Sequence, residues 1–170
     1  MQTAKTAEDI IRRYKSGYRE FRRITVQEGN FSKMRLVGAI FEGANLARCN
    51  FERAVLQRTS FSAADLRGAN FRGANLAKAD LKGADFRGAI MRSVDLSGAD
   101  LRWAKLEGVD LSGSIISGAN FDGANLRNAS LKGTDPGKLW WKANLEGANL
   151  EGTILPDGTV FGQAGVAKSE

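Results

Sequence analysis

An all-β solenoid, built from a repeating unit of five residues, is the fold that this sequence predicts. Every fifth residue from Phe31 to Leu131 is large and apolar, without exception, and we call these residues the centres. The residue two positions before each centre is nearly always small and usually Ala, and the residue directly before it is mostly Asn or Asp. Gly often stands two positions after it. Repetition of this regularity is typical of solenoids, in which each unit contacts only its neighbours.

The five-residue period excludes an ordinary helix or strand as the unit. Neither the 3.6-residue period of a helix nor the 2.0-residue period of a strand keeps the centres on one face. A coil whose wall turns a corner every five residues does so, with the centres inside and successive coils about 4.8 Å apart. The Ala side chain shares the interior, whereas Asn or Asp turns outward and bonds the local backbone. Gly at the end of the unit eases the corner.

The chain before the first repeat predicts a short helix that caps the open first coil. Thr6 is a capping residue with an acid three positions later, and apolar residues up to Tyr14 follow at helical spacing. Gly17 is placed to end this helix. We therefore expect a cap helix over about residues 6–18 and continuous repeats over about residues 21–133. The helix would cover backbone edges that the first coil leaves unpaired.

The repeat frame is interrupted after Leu131. A turn signal, Asp-Pro-Gly, follows, and the frame resumes at Leu145. The 14 positions between the two leucines are one short of three units, so part of the chain must leave the regular wall. Within one domain of residues 1–170, we expect a loop excursion over 134–142, final repeats and a C-terminal cap over 143–161, and a frayed tail over 162–170.

The repeats resemble those of the pentapeptide-repeat family. Residues 64–68 (ADLRG) and 69–73 (ANFRG) carry the resemblance most clearly, and it extends over most of the chain. It implies a right-handed quadrilateral β-helix with four repeats per coil, so that residues twenty apart lie on top of one another. Residues 10–17 (IIRRYKSG) and 155–159 (LPDGT) resemble the ends of cyanobacterial members of the family. Stacked phenylalanines are expected in two ladders, one of Phe31, Phe51 and Phe71 and one of Phe41 and Phe61.

The residue inventory argues against an enzyme. There is no histidine, which removes the commonest general base and metal ligand. The single cysteine, Cys49, occupies a small inward position, where a buried structural thiol is expected. Carboxylates twenty residues apart, such as Asp80 with Asp100 and Asp65 with Asp85, recur at the unit's own Asn/Asp position and are interpreted as turn-bonding residues. We expect no catalytic, cofactor-binding or metal-binding residues.

Charge and composition indicate where the protein works and what it contacts. One cysteine allows no internal disulfide, and neither a signal-like segment nor a membrane-spanning apolar run is present, so a cytoplasmic location is expected. The net charge is +6, and residues 1–35 hold nine Lys or Arg against four Asp or Glu. This basic end, with Arg12, Arg13 and Arg19, is either a solvated cap helix or a contact for an acidic partner or nucleic acid.

The leading functional hypothesis is a non-catalytic protein-interaction scaffold, with a regulatory role as its finer form. Six or so coils make a rigid rod of roughly 30 Å that displays side chains in columns to another protein. The alternative, implied by the resemblance, is a DNA-mimic modulator of type II topoisomerase, but such mimicry needs a strongly acidic surface and the net charge is +6. Direct nucleic-acid binding fits less well, because no recognised module or interleaved stacking aromatics are present.

The three tryptophans are candidates for partner contact. Trp103 occupies an outward position of the repeat, and Trp140 and Trp141 lie in the expected excursion. One interpretation is that Trp140 and Trp141 fill the interruption by apolar packing, which is the usual fate of aromatic side chains. The other is that they form an exposed aromatic patch with Trp103, of the kind that anchors interfaces.

Overall fold

A computed structural model describes residues 6–135 and 144–162 of the chain. Among these residues it contains one helix, α1, which spans Ala7–Lys15. The rest of the described chain forms isolated β-bridges in place of extended strands. Each bridge pairs a single residue with its counterpart in the next coil, so the secondary structure repeats with the five-residue unit.

Parallel bridges join residues twenty positions apart through the continuous repeat region. The spacing is the coil length expected from four repeats per coil. Most centres donate their N–H to a carbonyl one coil ahead, as Phe31 does to Asn50 at 2.7 Å. The bridges stand in four columns, each marking one wall of the coil, and we name the walls after their first members: Glu20, Thr25, Asn30 and Arg35.

Each corner is a tight turn in which the residue two after the centre adopts a positive φ. The turn closes when the next small residue donates its N–H to the carbonyl of the centre, as Ala44 does to Phe41 at 3.0 Å. Glycine fills many of these positions, as predicted, but eleven non-glycine residues fill others, among them Trp103 at φ 57°. The left-handed conformation costs an L-residue about 1–2 kcal/mol. The corner therefore favours glycine without requiring it.

The outward Asn and Asp residues bond these turns, as the sequence predicts. Asn70 Oδ1 accepts the N–H of Arg72 at 3.0 Å. Asp65 Oδ1 accepts the N–H of Arg67 at 3.2 Å. The amide and the carboxylate thus make the same bond, and the turn itself does not select between a neutral and a charged side chain.

The centres and the small residues fill one continuous core. Every centre of the continuous repeat region is at most 2% exposed. The expected phenylalanine ladders are confirmed: the rings of Phe31 and Phe51 lie 5.0 Å apart, those of Phe51 and Phe71 lie 4.8 Å apart, and those of Phe41 and Phe61 lie 5.3 Å apart. Stacked burial of this kind fixes the walls relative to one another.

The helix α1 covers the first coil. Its Ile10 side chain is fully buried, and the Tyr14 hydroxyl donates to the Val37 carbonyl at 2.9 Å. The Thr6 hydroxyl accepts the N–H of Asp9, the acidic residue three positions later, at 3.2 Å, and this bond forms the expected helix cap. The helix ends at Lys15, earlier than the boundary near residue 18, because Gly17 adopts a φ of 95° and donates its N–H to the Tyr14 carbonyl at 3.0 Å, which is the terminating role expected of this glycine.

The bridge register changes once, between Asp135 and Asn144. Beyond this point bridges join residues 24 positions apart, such as Asn120 with Asn144. The coil therefore holds four additional residues. The 14 positions from Leu131 to Leu145 were interpreted from the sequence as three units with one residue missing. The bridge partners show that they are two units with four residues added. Of the expected excursion over 134–142, residues 134 and 135 lie within the described ranges and the others outside them.

The last coil closes with a turn and a short returning segment. Ile154 forms an antiparallel bridge with Val160, and the Leu155 N–H donates to the Thr159 carbonyl at 2.7 Å. The final leucine centres are half-buried, since no further coil lies over them. All but the first residue of the expected frayed tail, 162–170, lies outside the described residues.

Candidate functional site

Trp103 is the most exposed large apolar side chain among the described residues, with 59% of its surface accessible. It stands at the corner between the Glu20 and Thr25 walls. The Arg102 guanidinium lies 5.5 Å from the indole centroid, within cation–π range, and pairs with Asp100 at 2.7 Å. An anchored cation therefore sits beside the exposed indole.

The indole extends along the wall toward the next coil. A Cβ atom added to Gly123, one coil on, would lie 2.6 Å from Cδ1 of Trp103 and 2.9 Å from Nε1. Arg48 takes the same course past Gly68, where its Cγ would lie 3.4 Å from an added Cβ. Glycine in the following coil thus leaves the space that the long side chain occupies, and the position of the Trp103 ring depends on it.

The cap arginines Arg12 and Arg19 make local contacts within the first part of the chain. Arg12 forms an ion pair with Asp9 of the same helix. The Arg19 guanidinium lies 3.8 Å from the Tyr14 ring centroid and donates to the Tyr14 and Tyr18 carbonyls at 2.9 Å. Arg13 is half-buried. These contacts agree with the interpretation of the basic end as a solvated cap helix.

Of the three tryptophan candidates, the structure places Trp103. Trp140 and Trp141 lie outside the described residues. The four additional residues enter between Asp135 on the Arg35 wall and Asn144 on the Glu20 wall. Trp103 stands at the corner between the Glu20 and Thr25 walls, whereas Asp135 lies on the Arg35 wall.

The aspartate columns are ion-paired and ionised. Asp85 bonds Arg87 at 2.6 Å, and Asp100 bonds Arg102 at 2.7 Å. The hydrogen bond from the Arg87 side chain holds the pKa of the Asp85 carboxyl below its usual range, and Arg102 lowers the pKa of Asp100 in the same way. A general acid needs a raised pKa. These carboxylates therefore support the turn-bonding interpretation.

Cys49 has a structural role. Its Sγ donates to the Val26 carbonyl at 3.0 Å, and burial raises the pKa of the thiol to about 11. Thr59 makes the equivalent bond to the Leu36 carbonyl at 3.1 Å. In the part of the chain that the structure describes, no group of His, Cys, Asp or Glu side chains could hold a metal ion. No helix in that part is long and apolar enough to cross a membrane.

Two exposed features were not predicted from the sequence. Ile90 and Ile115 occupy outward bridge positions and are 48% and 41% exposed. Six exposed cations on and beside the Arg35 wall form no ion pair within residues 6–135 and 144–162. Aligning the sequence at twenty-residue intervals would have brought these cations together. We call this set the basic face: Lys33, Arg35, Arg53, Arg58, Arg72 and Lys78.

Comparisons with known proteins agree with this architecture. The family profile described as Pentapeptide repeats matches with eight copies. A comparison with curated proteins finds no significant match. The profile matches residues 27–62, 35–73, 54–92, 69–108 and 95–133.

Solved structures of pentapeptide-repeat proteins are similar to the chain. HetL, from the cyanobacterium Nostoc sp. strain PCC 7120 and involved in heterocyst differentiation regulation, is 24% identical over 92% of this chain and 100% of its own, with a TM-score of 0.28. A protein from the Arabidopsis thaliana thylakoid lumen is 30% identical over 71% of each chain, with a TM-score of 0.27. QnrB1, a plasmid-mediated fluoroquinolone resistance protein, is 22% identical over 76% of this chain and 83% of its own, with a TM-score of 0.40. Because the family profile covers residues 27–133, more than half of the sequence, the chain belongs to the pentapeptide-repeat family.

Proposed function

We propose that this chain is a non-catalytic protein-interaction scaffold with Trp103 in its contact surface. The observation that carries the proposal is the exposure of Trp103 on a wall fixed by a buried core: the indole residue is 59% accessible, whereas Leu101 of the same repeat is 0% exposed. A preformed surface loses little conformational freedom on binding. Tryptophan is also the residue type most enriched among interface hot spots.

Further contact residues and a regulatory role belong to the same proposal. Trp140 and Trp141 are retained as contacts because they are aromatic, like Trp103. Arg12, Arg13 and Arg19 are retained on the ground of charge, although Arg19 also has a structural role in the cap. No cofactor is required by a function of this kind.

Three finer attributes complete the proposal. The first is a right-handed quadrilateral β-helix, whose four-sided form is supported by the four columns of parallel bridges. The absence of catalysis is supported by the ionised aspartates and by the high pKa of Cys49. A cytoplasmic location is supported by the single cysteine, which is free and buried.

The alternative function, a DNA-mimic modulator of type II topoisomerase, has less support. A mimic of DNA must present uncompensated negative charge. Asp80 and Asp100 stack on the Glu20 wall, but Lys82 lies 3.3 Å from the first and Arg102 lies 2.7 Å from the second. We expect the purified protein to leave gyrase supercoiling unchanged at low micromolar concentration. Potent inhibition in this assay would reverse the ranking of the two functions.

The scaffold proposal is tested by affinity capture with a matched pair of variants. Asn128 is the control for Trp103, because both are exposed corner residues with φ 57°. We expect a partner protein that is retained by the wild type and by Asn128→Ala but is lost with Trp103→Ala, with a weakening of roughly 30-fold if Trp103 is a hot spot. Both variants should be fully folded at the temperature of the capture experiment. Identical capture by wild type and Trp103→Ala would contradict the proposal.

A further inference from the structure

The basic face occupies one wall of the first three coils. Arg35 lies on the Arg35 wall itself, and the other five cations lie at its two corners. All six side chains are exposed. Successive coils lie about 4.8 Å apart, so the face extends about 10 Å along the rod. Lys33, Arg53 and Arg72 form one corner, and Arg58 and Lys78 form the other.

Several basic residues outside this face are neutralised within the molecule. Arg67 and Arg87 pair with Asp65 and Asp85, the aspartates two positions before them, at 2.7 and 2.6 Å. Farther along the rod, Arg92 pairs with Asp110. The basic face has one acid among its cations, Glu52, and no ion pair within the described ranges. Other exposed cations without an ion pair, Arg23, Lys105 and Lys132, lie apart from one another on the described part of the rod, whereas six stand together on the basic face.

Asparagine at the bridge positions of the Asn30 wall withholds negative charge from this corner of the face and leaves one of its arginines unpaired within the described ranges. Asn30, Asn50 and Asn70 form the first three members of the Asn30 wall. Each accepts the N–H of the residue two positions on, at 2.9 to 3.0 Å, as the aspartates do elsewhere. The amide thus satisfies the turn without supplying a negative charge. Arg72 follows Asn70 and has no carboxylate to pair with, in contrast to Arg67 after Asp65.

The direction of the Arg53 side chain brings its positive charge close to that of Arg72. Arg53 runs toward the next coil, where its Cγ would lie 3.4 Å from a Cβ added to Gly73. Arg72 directly precedes Gly73 in that coil. Two guanidinium-bearing side chains therefore converge on one corner with no acid paired to either. Like charges at short range repel, and an added anion relieves this repulsion.

The extent of the face favours a short acidic segment over a nucleic-acid duplex. An extended polypeptide rises about 3.3 Å per residue, so three or four residues cover the 10 Å length of the face. Duplex binding of useful strength engages about 6–10 phosphates over a longer path. A duplex laid along the rod beyond Lys78 would meet Asp95 and Asp135 on the same wall. These acids would oppose it.

We propose that the basic face binds an acidic polypeptide segment, rich in Asp and Glu, of the partner that the scaffold engages. This inference rests on the proposed scaffold function and adds the chemistry of the partner. The basic face and Trp103 share no residue: the face lies on the Arg35 wall in the first three coils, and Trp103 lies at the corner between the Glu20 and Thr25 walls in the fifth coil, so each surface can be altered without the other. Arginine suits this role, because its planar fork matches a carboxylate in two hydrogen bonds.

The experiment measures binding of fluorescein-labelled octaglutamate to the full chain by fluorescence anisotropy. We expect saturable binding that weakens about tenfold in the variant Arg53→Gln/Arg58→Gln/Arg72→Gln, since each exposed pair contributes up to about a factor of five. The matched control is Arg67→Gln/Arg87→Gln/Arg127→Gln, which removes the same charge from the Thr25 wall. Its affinity should stay within about twofold of wild type. Arg53→Gln/Arg58→Gln/Arg72→Gln should melt like the wild type, since these exposed residues form no ion pair within the described ranges, and the control, which loses three exposed ion pairs, should remain folded at the assay temperature.

Three results would overturn the proposal. The first is no binding of octaglutamate to the wild type, and the second is equal weakening in the two triple variants, which would reflect net charge alone. The third is tighter binding, with the same loss in the Arg53/Arg58/Arg72 variant, of a DNA duplex of about twenty base pairs, which would assign the face to nucleic acid. None of these results affects capture through Trp103, so failure of this inference is distinguishable from failure of the scaffold function.

Discussion

Replacement of Gly123 by alanine tests whether the Trp103 indole is held in place by the next coil. The added Cβ would lie 2.6 Å from Cδ1 of the indole, which is closer than non-bonded carbon atoms approach, so the ring must move. Gly108 is the matched control. It has φ +68°, close to the +64° of Gly123, and nothing lies within 4 Å of an added Cβ.

The expected free energies of unfolding follow from two terms. Alanine in the left-handed region destabilises the folded state by about 1–2 kcal/mol. The lower conformational entropy of the unfolded chain stabilises the protein by about 0.4–1 kcal/mol, so Gly108→Ala should lower the free energy of unfolding by about 1 kcal/mol. At Gly123 the displaced ring adds a second loss. Trp103 is 59% exposed, so about 100 Å² of a tryptophan surface of about 250 Å² is covered, worth at most about 2.5 kcal/mol. Loss of part of this contact adds about 1 kcal/mol.

Urea denaturation followed by circular dichroism measures these differences in a double-mutant cycle. Gly123→Ala should cost about 2 kcal/mol in the wild type and about 1 kcal/mol in the Trp103→Ala background, a coupling of about 1 kcal/mol. The second value should equal that of Gly108→Ala. If Gly123→Ala costs the same in both backgrounds, the indole does not lie over Gly123 and the description of the corner is wrong.

Three further predictions concern the core, the aspartate columns and the thiol. Leu66→Asp should unfold neighbouring coils in a thermal melt by placing a charge in the core, whereas Arg67→Ala should cost about 1 kcal/mol or less; equal losses would contradict the repeat frame. The pKa values of Asp85 and Asp100 are lowered in the folded state, so the unfolded chain binds more protons in acid and this stability is lost as pH falls below about 4. Melts from pH 6 to 2.5 should show a shallower decline in Asp85→Asn/Asp100→Asn, and an unchanged decline would exclude these groups as its source. Cys49 should resist iodoacetamide at pH 8 in the folded protein and react in urea, because its pKa is about 11; rapid native alkylation would contradict its burial.

The repeat frame was predictable because inward and outward positions are fixed by local spacing alone. A centre such as Leu66 is buried wherever its coil lies, and stacking at twenty residues then follows from four corners per coil. The turn conformation was less predictable. Glycine signals a corner, but Arg48 and Trp103 occupy the same left-handed position with φ 59° and 57°, and only the closure of the coil compels them to do so.

The interruption after Leu131 shows where local spacing becomes insufficient. A gap of 14 residues can be divided into units in more than one way, and the bridge partners decide between them. Asn120 pairs with Asn144, which places the additional residues between two walls. Because the end of the solenoid has no following coil, the last leucine centres are half-buried despite their correct sequence position.

The candidate surfaces, too, were predictable from the sequence only in part. The outward position of Trp103 in the repeat predicted its exposure. Its contact with Gly123 and the collection of cations on the Arg35 wall were not predicted, because both depend on residues twenty apart meeting in space. Whether an arginine is ion-paired also depends on the residue two positions before it. Arg67 follows Asp65 and is paired, whereas Arg72 follows Asn70 and is not paired within the described residues.

The Asn/Asp position separates folding from charge in this chain. Asn70 and Asp65 make the same hydrogen bond to the turn, at 3.0 and 3.2 Å, so exchange between them leaves the fold intact. It changes the charge that a wall presents to solvent, because Asp65, Asp85 and Asp100 pair with the arginines two positions on, whereas Asn70 supplies no charge to Arg72. A solenoid of this kind can therefore acquire a charged face by substitutions that its turns do not resist. Asn70 is one such position in this chain, since it bonds its turn and leaves Arg72, on the basic face, without an ion pair within the described residues.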